Sequence, residues 1–386
     1  MHIAITGPCS PERLTHHLYP DHVPAALAYP GFGGTSVTQL VDALVGLGHR
    51  VTVVTTGEPG AEPARFVGER LEVVCSSRRS PGAAIRDGYR WERRDLSAAI
   101  RESAADLVNS HWTYEFALAA QDSGLMHLTT AHDAPVTILR HAKDAYRTAR
   151  LLVAARVRAS ISELSCVSPD LAGRWRREML YRRPIRIIPN PIPMDVQTAQ
   201  RAPSAHPTLL EVADSSRWKN VKNLLRAAAQ VRRKRPDLET RLVGHGLHDT
   251  GELAAWARRK GLAEGVKFLG PLDRASVRRE YATAWLFVHA SLQESFGMSV
   301  LEAACCGVPA LGGAHSGAVP FVLGKGRAGW LADVKDPDAL AARIGELIAS
   351  GPPQMRPGAK EWLQVTFAPP TIAQAYVDWY LTALDD

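Results

Sequence analysis

The segment best equipped for chemistry is Gln293–Pro309, which reads Q-E-S-F-G-M-S-V-L-E-A-A-C-C-G-V-P. Glu294 precedes a glycine-containing turn. A helix is expected to start near Met298 or Ser299, run to Cys306 and end at Gly307. The first N–H groups of a helix lack partners inside it, and the helix dipole favours negative charge there. Phe296, Gly297, Met298 and Ser299 would therefore offer backbone donors to a phosphate. Glu302 falls one turn into the helix, so two carboxylates flank that end, and a carboxylate suits sugar or ribose hydroxyls. The same spacing is equally what a helix start favoured by acidic residues looks like.

A second cluster, S-S-R-W-K-N-V-K over Ser215–Lys222, directly follows an apolar run. Loops leaving the C-terminal ends of parallel strands are where ligands bind in such sheets. Arg217, Lys219 and Lys222 would neutralise a diphosphate leaving group. Cations at a helix start oppose its dipole, which is the reason to expect an anion among them; a solvated basic helix start reads the same way. The third segment is Y-P-G-F-G-G-T, Tyr29–Thr35. Gly33 and Gly34 would let the backbone approach a phosphate closely. It is not a dinucleotide fingerprint, because Ser36 stands where the third glycine belongs. An ordinary flexible loop is its plain reading.

Two apolar runs end in polar residues, Asn109-Ser110-His111-Trp112 and Ala131-His132-Asp133. One histidine at a strand end is usually structural; two at strand ends of one sheet point to a site. No metal is expected. Neither H-x-x-x-H nor H-E-x-x-H occurs, and the adjacent pair His16-His17 is poor ligand geometry. The spacings of a serine-hydrolase elbow and of a P-loop are absent too.

These loops need a frame. Short apolar runs alternate with helical patterns, which implies parallel sheets covered by helices. Strands are expected at His2–Thr6, Arg50–Thr55, Leu71–Cys75, Asp106–Asn109, Leu128–Thr130 and Ile185–Ile188, with a helix over Thr35–Leu47. The polar, Pro-rich stretch Gln197–Pro207 reads as a linker. The pattern then restarts with strands at Thr208–Val212, Thr240–Val243, Val266–Leu269, Trp285–His289 and Ala310–Leu311, and a helix over Asn223–Arg233. Ala373–Leu384 looks like a final amphipathic helix.

The bulk properties agree. A chain of 386 residues exceeds one core, and 46% hydrophobic with 22% charged residues is ordinary for a globular protein. Five scattered cysteines without C-x-x-C read as reduced, buried thiols. The start lacks a signal-peptide pattern, and no apolar stretch is long enough to span a bilayer, so a cytoplasmic location is expected. A net charge of +7 permits contact with polyanions without requiring it. No nucleic-acid partner is expected. The Arg-rich stretch 147–186, with Trp175 and Tyr181, would either lie on anionic lipid as a peripheral contact or form a solvated helix face.

In this order the segments resemble family 4 of the retaining GT-B glycosyltransferases over nearly the whole chain. Glu294–Pro309 is similar to the family's E-x7-E motif with its following glycine. Supporting matches are Gly33-Gly34 with Leu47–Thr55, His132-Asp133, Cys166–Ser168, Ile187–Ile192, Leu242–Gly246, Val266–Gly270 and Ala328–Asp333. The resemblance implies two Rossmann-like α/β domains facing a cleft. Residues 1–200 would form the acceptor side and 201–370 the donor domain, with a C-terminal helix, 371–386, crossing back to the first. It implies retaining, metal-independent transfer of a hexosyl or N-acetylhexosaminyl group from a nucleotide diphosphate sugar to an acceptor hydroxyl. The acceptor would be a small natural product or an envelope glycan. UDP is the favoured nucleotide, with GDP, ADP or dTDP as alternatives, and no permanent cofactor is implied.

By the same resemblance Glu294 would face the donor sugar and Phe296–Ser299 would present N–H groups to it. Glu302 would bind the ribose, and Lys219 or Lys222, with Arg217, would hold the diphosphate that Gly34 approaches. His132 would touch sugar and acceptor, with His111 and Asp133 beside the acceptor. Two positions depart from the pattern. Asp214 stands where the family often has arginine, with Arg217 three residues on, and Asn190-Pro191 replaces Asn-Gly. Other readings are another GT-B enzyme such as a phosphorylase, a non-catalytic nucleotide-sugar-binding subunit and, least of all, an NAD oxidoreductase.

Overall fold

Strands covered on both faces favour runs of apolar residues, and the central strands of this chain are rich in them. Ile3, Ala4 and Ile5 are wholly buried in β1 (His2–Thr6), as are Val51, Val53 and Val54 in β2 (Arg50–Thr56). The computed structural model describes residues 1–193 and 201–385. By its contacts the chain divides into two compact units, Met1–Pro193 with Phe367–Asp386, and Met194–Thr366. The linker expected at Gln197–Pro207 begins among residues 194–200, outside the described residues, and so does the division expected at residue 200.

The first unit adds β3 (Ala64–Val67), β4 (Leu71–Ser76), β5 (Leu107–His111), β6 (His127–Ala131), β7 (Glu163–Cys166) and β8 (Ile185–Ile187). They form one sheet in the order β3-β4-β2-β1-β5-β6-β7-β8. All pairs are parallel except β3 with β4. The second unit holds β9 (Thr208–Val212), β10 (Glu239–Val243), β11 (Val266–Gly270), β12 (Leu286–His289), β13 (Ala310–Gly313) and β14 (Trp330–Ala332). Its all-parallel order is β11-β10-β9-β12-β13-β14. Each sheet thus reverses direction once, between β1 and β5 and between β9 and β12. Such a switch point leaves a crevice beyond the strands' C-terminal ends, where ligands bind. Strands β3, β7 and β14 were not expected from the sequence; each is short and interrupted by polar or small residues.

The helix Pro369–Asp385 belongs to the first unit. Ile372, Tyr376, Trp379 and Tyr380 join the core that holds Ile3, Val37, Leu40 and Val51. Trp379 Nε1 donates to Glu163 (2.8 Å) and the Tyr380 hydroxyl to Asn109 (2.9 Å). The two aromatic residues of the Arg-rich stretch 147–186 lie inside the fold. Trp175 is fully buried with Nε1 on the Asp133 carbonyl, and the buried Tyr181 donates to Ser162 O. No helix among the described residues is long and apolar enough to cross a membrane. All five cysteines are buried.

Candidate active site

In the second unit the chemistry gathers at the β9/β12 switch point. Lys219 sits on a 3-10 turn, Arg217–Lys219, that leaves β9. Asn220 closes the turn with φ of 57°, a left-handed conformation that asparagine tolerates better than most residues. Its side-chain amide donates to the carbonyls of Ala290 and Val334, and Leu292 N–H donates to Trp218 O. The two loops are thereby tied together. Lys219 Nζ then reaches Glu294 Oε1 at 2.6 Å. The same oxygen lies 3.0 Å from His289 Nε2, and His289 Nδ1 lies 3.0 Å from Glu211 Oε1. Glu211 Oε2 accepts from Ala290 N–H. Glu211 is 0% and His289 1% exposed. Sequence reasoning missed both.

A neutral imidazole has one N–H, and His289 lies between two carboxylates, so both nitrogens must donate. Burial opposes the charge, but Glu211 and Glu294 outweigh it and lift His289 to about 9. Its ordinary value is 6.5, so its contribution to stability is full below about pH 6.5 and fades as pH rises through 9. Burial would raise Glu294, yet the hydrogen bond from His289 and the charge of Lys219 hold it well below the usual carboxylate range. Lys219 is raised: burial works against its charge, and Glu294 more than compensates.

The expected helix forms over Met298–Cys305, with Gly297 as N-cap at φ of 97° and Gly307 beyond its end at φ of 76°. Phe296 is buried, whereas Met298, Ser299 and Glu302 are half-buried. The Tyr281 hydroxyl lies 3.3 Å from Ser299 O and 3.4 Å from Glu302 Oε2. Lys222 is not gathered with Lys219; its ammonium lies 4.9 Å from the Trp256 ring centre. Arg217 is exposed. Asp214 holds its loop, accepting Ser216 N–H at 2.8 Å.

In the first unit the β1/β5 switch point carries the other cluster. His111 ends β5 and His132 follows β6, with His111 Nδ1 and His132 Nε2 2.9 Å apart. Trp112 stacks on His132 at 4.4 Å between ring centres, from a backbone with φ of 66°. Non-glycine residues held in that region carry strain, which accumulates at functional sites. Burial pushes His132 down to about 3 and His111 well below 6.5, His132 adding to the latter shift. Both rings are therefore neutral near pH 7. Asp133 accepts from the Tyr114 hydroxyl at 3.0 Å and lies 3.7 Å from Arg150, which covers the Tyr114 ring. Burial raises the Asp133 carboxyl.

Beside them lies a cavity of about 240 Å³ lined by Gly33, Gly34, Phe32, Arg78, Trp112 and Arg150, among others. Arg78 pairs with Glu115 and covers the Phe32 ring. Sequence reasoning missed these two arginines. Gly34 has a strict local reason: at φ of +83° a Cβ would stand 1.8 Å from Pro8 O. Gly34→Ala is expected to cost at least about 2 kcal/mol from strain and overlap. A urea midpoint equal to wild type would show that the Pro8 loop yields instead. His16 and His17, set aside for their adjacency, both bring Nε2 to 2.7 Å from Asp42 Oδ1. The shared carboxylate gathers rings that adjacency alone would not bring together.

Comparison with known proteins places this architecture. Residues 33–196 match the family model for Glycosyltransferase Family 4, and residues 196–361 match that for Glycosyl transferases group 1. Each half of the chain thus matches a glycosyltransferase family model, and the fold is that of the GT-B glycosyltransferases. Among curated relatives, D-inositol 3-phosphate glycosyltransferase 2 of Catenulispora acidiphila is 34% identical over 133 residues, 32% of this chain and 31% of that protein. The Streptomyces scabiei D-inositol 3-phosphate glycosyltransferase is 32% identical over 172 residues, 42% of this chain and 38% of that protein. The chain thus spans about a third of the length of these curated relatives. Sucrose-phosphate synthase from Thermosynechococcus elongatus shares the fold with a TM-score of 0.78 at 19% identity, covering 99% of this chain and 98% of that one. Anabaena HepE in complex with UDP and glucose gives a TM-score of 0.69 at 20% identity, covering 99% and 100%.

Proposed function

We propose that the protein transfers a hexosyl or N-acetylhexosaminyl group from a nucleotide diphosphate sugar, UDP-linked by preference, to a hydroxyl of a small polar acceptor. The transfer retains anomeric configuration and needs no metal. The observation that carries this reading is the Lys219–Glu294 contact at the β9/β12 switch point, beside the start of the helix Met298–Cys305. Breaking a sugar–phosphate bond puts negative charge on the departing diphosphate. Lys219 and the N–H groups of Met298 and Ser299 would stabilise that charge, and Glu302 would hold the ribose. The complexes with UDP and with UDP-glucose formed by a protein of this fold favour the uridine nucleotide.

Glu294 is held by two cations and so is a weak base and a weak nucleophile. It suits hydrogen-bonding the sugar's hydroxyls. His132, neutral near pH 7, likewise positions rather than removes a proton. The acceptor proton then has one strong destination, the departing phosphate, which implies attack on the face the leaving group vacates. The first-unit cavity supports an acceptor of monosaccharide size, stacked on its aromatic walls. Arg78 and Arg150 fit a phosphate on such an acceptor, the class that the names of the inositol-phosphate relatives carry.

The reading is tested by thermal unfolding against UDP, GDP, ADP and dTDP with their glucose and N-acetylglucosamine forms. A ligand at about 100 times its Kd stabilises by about 2.7 kcal/mol. For units of this size that is roughly 5–10 °C. A shift with the uridine series and transfer to inositol phosphate or a hexose phosphate is the expected result. Sugar release that requires free phosphate would make the protein a phosphorylase instead.

A further inference from the structure

Glu294 is reached by the protein at one oxygen. Lys219 Nζ (2.6 Å) and His289 Nε2 (3.0 Å) both meet Oε1. Among the described residues Oε2 has no hydrogen-bond partner. The carboxylate is thus pinned at one end and presents the other. Lys219 lies on a long, flexible stem, whereas the imidazole is rigid and is itself fixed from behind. Glu211 accepts from His289 through Oε1, and its Oε2 accepts from Ala290 N–H, so it cannot rotate without losing both contacts. The His289 ring also runs nearly parallel to that of Phe287, 14° between planes with the centres 6.0 Å apart. A buried glutamate in the strand next to the switch point is costly unless fully paired. Here its two oxygens are spent entirely on His289 and the residue after it.

We propose that the buried Glu211–His289 pair is a positioning device for Glu294, clamping Oε1 so that Oε2 faces the hydroxyls of the donor sugar. The inference rests on the reading of Glu294 as the sugar-binding carboxylate. Neither Glu211 nor His289 touches substrate; both act through Glu294. The clamp works only with a proton on each imidazole nitrogen. The charged and titratable groups around the ring are Glu211 from β9 and Glu294 from the loop after β12. One contact further out stand Lys219 and Asp214 from the loop after β9, and Tyr281 from the helix Arg274–Thr283. When the imidazolium loses a proton, one carboxylate loses its donor and the orientation of Glu294 relaxes.

The test uses the full chain with UDP-glucose and UDP-N-acetylglucosamine, reading UDP release across pH 6–10.5, with UDP alone as the binding control. Wild type is expected to lose kcat as pH rises through about 9. In Glu211→Gln that loss should move at least one pH unit lower, because the amide no longer stabilises the imidazolium. His289→Gln should remove the transition and lower kcat about 10–100-fold. In both variants UDP binding should match wild type, because the nucleotide does not meet the clamp. A merely structural role would lower the melting temperature with kcat and its pH profile unmoved, and that result overturns the proposal. So does a wild-type kcat that stays flat through pH 9, which decides the matter even if a variant fails to fold. Glu294→Gln separates the two readings. Full activity in Glu294→Gln removes the donor-site reading itself. An inactive Glu294→Gln beside fully active Glu211→Gln and His289→Gln removes only the clamp.

Discussion

Glu294→Gln is expected to lower sugar transfer by about 10²–10³-fold, the loss typical of removing one prealigned polar contact at a reacting centre. The amide has the size of the carboxylate, so the loops around it should keep their places. Its oxygen can still accept from Lys219 and His289 where Oε1 does now. The amide nitrogen then falls at Oε2 and offers donors where a sugar hydroxyl needs an acceptor. The variant thus changes the chemistry of one atom. Folding should survive, because Glu211 still holds the imidazolium from the other side. Transfer rate, UDP-induced stabilisation and melting temperature should be measured together. The expected pattern is lost transfer, retained response to UDP and a melting temperature within a few degrees of wild type. Wild-type transfer would take Glu294 out of the site.

Much of that site was legible because its determinants are local. Helix Met298–Cys305, its glycine N-cap and its glycine stop follow from spacing within one segment, and they form at the expected residues. The end of β6 before His132 is likewise local, read from an apolar run that stops at polar residues, whereas β5 runs past its expected end at Asn109 to take in His111. The clamp was illegible for the opposite reason. Glu211 stands in T-L-L-E-V, where a lone acid in a strand normally marks a solvent face, and its partner His289 is 78 residues away. Only the crossing of β9 beside β12 brings them together. Arg78 and Arg150 fall in a loop and within a helix, where an arginine usually lies on the surface. Their pairing with Glu115 and Asp133 depends on the packing of the first sheet's helices. The basic cluster shows a finer failure. Lys219 and Lys222 read alike in sequence, but the 3-10 turn and the left-handed Asn220 between them aim the first at Glu294 and the second at Trp256.

Ending the chain at Phe367 is expected to prevent the first unit from folding. The helix Pro369–Asp385 supplies Ile372, Tyr376, Val377, Trp379 and Tyr380 to the core around Ile3, Leu40 and Val51. At roughly 1.5–3 kcal/mol for each buried side chain, the lost burial matches the whole stability of a typical domain, about 5–15 kcal/mol. Trp379→Ala is the graded form, with an expected loss of about 3–5 kcal/mol, because it opens a cavity and leaves Glu163 without its indole donor. Urea denaturation followed by circular dichroism reads both. A truncated chain that unfolds cooperatively at the wild-type midpoint would show the helix to be peripheral. The same helix also bears on the chemistry. Tyr380 donates to Asn109 and Tyr376 packs 5.9 Å from the His111 ring, both on β5. Trp379→Ala should therefore weaken acceptor use at temperatures below its own unfolding, while the response to UDP, which rests on the second unit, stays as in wild type.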